Sequence, residues 1–161
     1  MTQPIPEGYR TLTPYLALDD AAGAIEFYKR AFGATENSRM EGPDGKIGHA
    51  ELQIGDSHLM LADAWPQSST RAPNEVGATT AGIFVYSEDI DAFFKKAIDA
   101  GASSVMDPEN MFWGDRFGTL KDPYGHVWHV ATHVEDVSDE DMRKRAEEWQ
   151  AQMAEMAGST N

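Results

Sequence analysis

Apolar and polar residues alternate from Thr11 to Leu18, with Leu12, Pro14, Leu16 and Leu18 on one side and Thr11, Thr13, Tyr15 and Ala17 on the other. Period two predicts a half-buried strand, and Pro14 places it at an edge or a strand end. Asp19 and Asp20 then offer capping oxygens. Ala21, Ala24, Ile25, Tyr28 and Phe32 recur at helical spacing until Gly33, so one amphipathic helix follows the strand. Short strands are predicted at Thr35–Met40 and Ile47–Ile54, joined by Gly42-Pro43-Asp44-Gly45, and a turn at Gly55-Asp56-Ser57 leads into His58–Ala62. The order is β-α-β-β-β.

After a Ser-, Thr- and Pro-rich loop (Trp65–Thr80) the same signals return at an offset of roughly 68 residues, long enough for a duplicated unit. Ile83–Tyr86 is a strand. Glu88-Asp89 caps a helix carrying Ile90, Phe93, Phe94, Ala97 and Ile98, which stops at Gly101-Ala102 as the first stops at Gly33-Ala34. Ser103–Met106, Arg116–Lys121 and Val127–His133 complete the second unit, with Asp122-Pro123-Tyr124-Gly125 turning the last pair. A further helix is predicted over Ser138–Met156: Ser138 and Asp141 resemble a capping box, and Met142, Ala146, Trp149, Met153 and Met156 form an apolar stripe. That stripe packs on the domain or across a dimer, or binds a partner. The expected organisation is one domain over 1–136 (units at about 8–64 and 81–136, loop 65–80), a helix at 137–157 and a disordered tail at 158–161.

The chain has 161 residues, 41% of them hydrophobic, enough for one sizeable core. Cysteine is absent, which removes disulfides, thiolate metal sites and a thiol nucleophile and leaves His, Asp and Glu as the strong metal donors. A net charge of -14, from 27 acidic and 13 basic side chains, repels phosphate backbones and anionic lipid, so neither nucleic acid nor membrane is an expected partner. No basic stretch followed by an apolar run opens the sequence, and no window of about 18 apolar residues occurs, so the expected location is the cytoplasm. A phosphate-binding glycine loop leading into a helix, a Gly-x-Ser-x-Gly elbow and a His-Glu-x-x-His motif are all missing.

A set of short motifs carries a resemblance: Thr13-Pro14-Tyr15-Leu16, Asp20-Ala21-Ala22, Glu26-Phe27-Tyr28, Phe32-Gly33-Ala34, Gly48-His49-Ala50-Glu51-Leu52, Trp113-Gly114-Asp115-Arg116, Asp122-Pro123-Tyr124-Gly125-His126 and Ala131-Thr132-His133. From about Gly8 to Asp136 the chain resembles the PhnB-like branch of the vicinal-oxygen-chelate (glyoxalase/bleomycin resistance/dioxygenase) superfamily. The resemblance implies an α+β fold of two βαβββ units whose sheets curl into a cup, a homodimer, and often a divalent metal at the cup's centre. The superfamily includes lyases, isomerases, dioxygenases, epoxide-opening resistance enzymes and drug-binding proteins, so the chemistry must come from the site.

Metal-using members carry His, Glu or Gln at four cup positions. The resemblance puts these at Thr13, near Leu61, near Gly82 and at His129, and of the four only His129 is a ligand. The usual metal site is therefore not expected. A displaced site is available in His49, Glu51 and His129, since His49, Glu51 and Gln53 share one strand face while Ala50, Leu52 and Ile54 share the other. His49 and Glu51 also suit a general base and its orienting partner, or a satisfied pair lining a polar cavity. Trp113 and Arg116 offer an aromatic wall and a bidentate clamp for an anion, or a lid and an ion pair with Asp115 or Glu51. The expected ligand-binding set is Thr13, Tyr15, His49, Glu51, Phe84, Trp113, Arg116 and His129, with Tyr86 and Met60 as further lining. His126 and His133 read as structural or solvent-facing, and Trp128 and Val130 as helix-side packing.

Three functions stay open: a small-molecule-binding protein with no cofactor; a metal-dependent glyoxalase-like lyase or dioxygenase using the displaced site; and an interaction module acting through the C-terminal helix. Whether any reaction follows binding is open as well.

Overall fold

The computed structural model describes residues 2–158. Its first unit runs β1 (Tyr15–Leu18), α1 (Ala21–Phe32), β2 (Thr35–Glu41), β3 (Ile47–Ile54), β4 (Ser57–Asp63), followed by a short α2 (Pro73–Val76). The second runs β5 (Gly82–Tyr86), α3 (Ile90–Ala100), β6 (Ser103–Asn110), β7 (Asp115–Lys121), β8 (Val127–His133), and α4 (Asp139–Gly158) follows. The strands form two four-stranded mixed sheets of identical plan, β1-β4-β3-β2 and β5-β8-β7-β6, with β1 parallel to β4 and β5 parallel to β8. The fold is the expected α+β pair of βαβββ units. The curl stops short of a closed barrel, since each sheet keeps its own edges.

The two helices begin and end on matching chemistry. Asp20 Oδ1 accepts from the Gly23 amide and Asp89 Oδ1 from the Ala92 amide, both at 3.0 Å, satisfying N–H groups that have no partner within the helix. Gly33 and Gly101 then leave the helices at φ 67° and 120°, backbone angles that a Cβ disfavours. Each helix lays its apolar stripe on one face of its sheet. Leu16, Leu18, Ala50, Leu52, Leu59 and Leu61 point to that side in the first unit, and Leu120, Trp128 and Val130 in the second.

The units join in one continuous core where α1 packs on α3. Phe32 stacks on Phe93 with ring centroids 5.3 Å apart and lies 4.5 Å from Trp128. At the centre is the buried carboxylate of Asp122, which accepts from the Tyr28 hydroxyl at 2.8 Å, from Trp128 Nε1 at 2.9 Å, and from the amides of Tyr124 and His126 at 2.9 Å. His126 is buried and structural: its Nε2 donates to the Ala17 carbonyl at 3.0 Å, a second tie between the units.

Several features differ from the sequence reading. β1 begins at Tyr15 rather than Thr11, because pairing with β4 starts at Tyr15 opposite Met60, and Pro14 contributes only its carbonyl, to the Met60 amide. β6 runs on to Asn110, since an edge strand tolerates Pro108. The loop at 65–80 contains α2, too short for periodicity to reveal, whose Asn74 side chain donates to Asp19 and to the Pro123 carbonyl. In α4 no residue is buried. Ser138 caps it as expected, Arg145 forks onto Glu135 at 2.8 and 2.7 Å, and Trp149 leans on Phe112, yet Trp149 and Met153 stay 43% and 40% exposed. Of the expected tail, Gly158 closes α4 and residues 159–161 lie outside the described residues. No helix among the described residues is long and apolar enough to cross a membrane.

Asp122→Ala leaves the Tyr28 hydroxyl and the Trp128 indole without their acceptor and is expected to cost about 3–5 kcal/mol, the range for breaking a buried charged network from one side. Tyr28→Phe removes one bond of four and is expected to cost about 1 kcal/mol. Urea unfolding of the two variants checks both values.

Candidate functional site

Each sheet has helices on one face only, and strand alternation decides which side chains fill the other. On the first sheet this open face carries Tyr15 from β1, Met60 and His58 from β4, and His49 and Glu51 from β3. The Tyr15 hydroxyl lies 3.3 Å from His49 Nδ1, and His49 Nε2 lies 3.3 Å from Glu51 Oε1. Read as a chain, the hydroxyl donates to Nδ1 and the Nε2–H donates to the carboxylate. A ligand hydroxyl that displaced Tyr15 would meet an imidazole already oriented by an acid, the arrangement of a general base.

Tyr9, in the arm before β1, stacks on His58 with ring centroids 4.1 Å apart and turns its hydroxyl toward Glu51. The hydroxyl is buried and makes no well-formed hydrogen bond among the described residues. The pairing still has electrostatic consequences. Burial, then the neighbouring Glu51 charge, pushes the Tyr9 phenol up to about 12. Tyr9 first, and His49 after it, holds the Glu51 carboxyl below its usual range against the opposing effect of desolvation.

The open face of the second sheet is aromatic. Phe84 lies 5.8 Å from Phe117 and 6.2 Å from His129, Phe117 stacks on His129 at 5.8 Å, and Trp113 meets Phe117 edge-on at 5.9 Å. At its far end the buried Asp115 carboxylate accepts from Tyr86 Oη at 3.1 Å and Trp113 Nε1 at 3.2 Å, and meets His133 Nδ1 at 2.8 Å. His133 Nε2 reaches Asp136 at 3.0 Å. Asp136 first and Asp115 second raise the His133 pKa, favouring the imidazolium that bridges them.

The structure thus groups Tyr15, His49 and Glu51 on one sheet and Phe84, His129 and Trp113 on the other. Thr13 lies in the arm before β1 and lines, with Phe84, a cleft beside β5. Arg116 stands on the helix side of β7. Its guanidinium forks onto Asp91 of α3 at 2.9 and 2.8 Å, so the ion pair expected with Asp115 or Glu51 forms with Asp91 instead. The sequence reading missed Asp115 as a hub, along with Phe117 and Thr119. The signal was present: the even spacing of 115, 117 and 119 puts all three on the face that β8 shares through His129. Tyr9 precedes any periodic segment and had no such signal.

The superfamily's usual metal positions do not form a donor set here. Leu61 is buried on the helix side, and the open-face neighbours Met60 and Ala62 bring no strong donor. His129 bonds Thr119 Oγ1 through Nδ1 at 3.1 Å, and its Nε2 lies where a side chain at residue 82 would begin, 2.6 Å from an ideal Cβ on Gly82. His49 and Glu51 touch but His129 sits on the other sheet, and no group of three His, Asp or Glu residues gathers among the described residues.

The family model described as the glyoxalase/bleomycin resistance protein/dioxygenase superfamily matches residues 11–130. The chain belongs to this superfamily. Among its relatives is the uncharacterized protein Mb0911c of Mycobacterium bovis, 42% identical over 135 residues, 82% of this chain and 89% of that protein. The crystal structure of TioX from Micromonospora superposes with a TM-score of 0.63 at 28% identity, over 78% of this chain and 99% of TioX. A PhnB protein from Bacillus cereus shares the fold at a TM-score of 0.61 and 19% identity, over 76% of this chain and 99% of its own.

Two outcomes test the electrostatics. Tyr9→Phe is expected to let the Glu51 carboxyl return toward the ordinary carboxylate range, read by carbon-detected NMR titration. Because the folded His133 pKa lies above its unfolded value, the bridge stabilises below the unfolded pKa and is lost as pH rises through the folded one. Asp136→Asn is therefore expected to lower the His133 midpoint in a proton NMR titration and to weaken that pH dependence.

Proposed function

We propose that this chain is a cytoplasmic small-molecule-binding member of the PhnB-like branch of the superfamily, a homodimer that holds its ligand between open sheet faces without the usual divalent metal. The observation that carries this reading is the pair of open faces themselves. Tyr15, Phe84 and Tyr86 are 48%, 49% and 65% exposed on them, while neighbouring polar groups are already linked in ordered chains. Aromatic walls with a few fixed polar groups are what ligand sites are made of, and contiguous apolar surface of this kind marks an interaction site.

The first sheet supplies Tyr15, His49 and Glu51 for polar recognition, and the second supplies Phe84, His129 and Trp113 as an aromatic wall. Among the described residues no strand of one sheet pairs with the other, so a second copy is the natural source of the opposing wall. Placement on the PhnB-like branch draws on the motif set from Thr13 to His133.

A metal-dependent lyase or dioxygenase is the second reading, favoured by the His49–Glu51 contact at 3.3 Å. It requires a third donor, such as His129 of the partner subunit.

Sedimentation of the purified protein is expected to show a dimer. In a thermal-shift screen, planar hydrophobic compounds are expected to raise the melting temperature, by the equivalent of about 2.7 kcal/mol at a hundredfold excess over Kd. Tyr15→Ala and His129→Ala are expected to lose that shift, and zinc, manganese and nickel to give none. A monomer that no compound stabilises would sink the reading. One tightly bound metal per chain, lost in His49→Ala, would favour the enzyme instead.

A further inference from the structure

A cleft of about 500 Å³ opens between the arm before β1, the turn joining β3 to β4, and the free edge of β5. It is separate from the Tyr15–His49–Glu51 chain and from the Phe117–His129 stack, none of which lines it. Its walls come from the helix side of the second sheet: Ile83, Val85 and Phe93 belong to the core but remain only half-buried where the cleft reaches them. Phe84 and Tyr86, with ring centroids 5.1 Å apart, project from the other side of the same strand and flank the opening. The opening exists because β5 pairs with β8 on one side and, among the described residues, with no strand on the other. Its volume lies within the ~300–1,000 Å³ of small-molecule sites.

The charge at the rim selects the occupant. Two fully charged side chains line the cleft, Arg10 and Asp56. Asp56 accepts from the Ser57 hydroxyl at 3.0 Å. Arg10 is exposed, and no hydrogen bond or ion pair holds it among the described residues, in a chain whose net charge is -14. Most of its other arginines are held by carboxylates: Arg39, Arg116 and Arg145 fork onto Glu36, Asp91 and Glu135, and Arg71 reaches Glu75 through Nε alone. An unpaired guanidinium beside a half-open apolar floor is complementary to a flat ring that ends in a carboxylate.

We propose that this cleft is a second binding site, meeting the open sheet faces only at its rim through His58, Phe84 and Tyr86, that takes a planar aromatic carboxylate with its ring against Ile83, Val85 and Phe93 and its carboxylate on Arg10.

The test titrates 2-naphthoate, and separately the uncharged 2-naphthamide, into full-length isotope-labelled protein and follows backbone amides by NMR. Naphthoate is expected to give saturable shifts at Thr13, Ile83, Val85 and Phe93. Arg10→Gln is expected to weaken naphthoate about threefold and leave naphthamide unchanged, the size expected for one ion pair at an exposed rim. Arg10 is exposed, so the variant keeps the fold, which its unshifted amides elsewhere verify. Three results overturn the proposal: no saturation below about 1 mM, shifts confined to residues of the open faces such as His49 and Phe117, or equal loss of both compounds in Arg10→Gln. Failure here leaves the open-face site untouched, because its own residues report it in the same spectra.

Discussion

A buried carboxylate must be surrounded by donors or it destabilises the fold that buries it. Asp122 meets that condition with four, and they come from different parts of the chain: two amides of its own turn, the indole of Trp128 on β8 and the hydroxyl of Tyr28 on α1. Only when the first helix docks on the second unit are all four in place. The corresponding turn of the first unit, Gly55-Asp56-Ser57, is exposed and carries no such burden. The repeat is therefore symmetric in topology and asymmetric in what holds it together, and the shared aromatic core of Phe32, Phe93 and Trp128 is assembled around that one acid.

With the helix sides committed to this common core, the two open faces are free to differ, and they do. The first carries hydrogen-bonding side chains in sequence along a sheet, Tyr15 to His49 to Glu51. The second carries rings, with its acid withdrawn to the end, where Asp115 fixes Tyr86, Trp113 and His133. Opposed across a ligand, the two would supply direction from one side and contact area from the other. Arg116 shows how strictly strand parity governs this division. One residue from Asp115 along β7, it points to the helices and spends its guanidinium on Asp91.

Much of this was readable from periodicity. The βαβββ order, the helix caps at Asp20 and Asp89, the glycine stops at Gly33 and Gly101, and the two faces of β3 follow from local rules that act within a few residues. Departures arose where the deciding partner is distant. Beside Trp113, at the entry to a strand, Arg116 reads as a clamp or an ion-pair partner, whereas it is the second residue of β7, whose 115, 117 and 119 take the open face. α2 is one turn long and held by Asn74, a bond to a segment 49 residues away that no local pattern reveals. Tyr9 owes its position to stacking on His58 and belongs to no regular element. The apolar spacing along α4 does not say how much of that stripe is covered, and here no residue of the helix is buried.

The loop between the units has a consequence for how the molecule could be divided. From Trp65 to Arg71 the backbone crosses from one half to the other without joining a sheet, and the ties that matter lie elsewhere, in the Tyr28–Asp122 bond, the Ala17–His126 bond and the stacked helices. Covalent continuity through this stretch adds proximity and little else. Two polypeptides separated there would each retain a complete sheet with its own helix, and would find one another through the same core, so this stretch is the natural seam for fragment complementation or for inserting a foreign sequence.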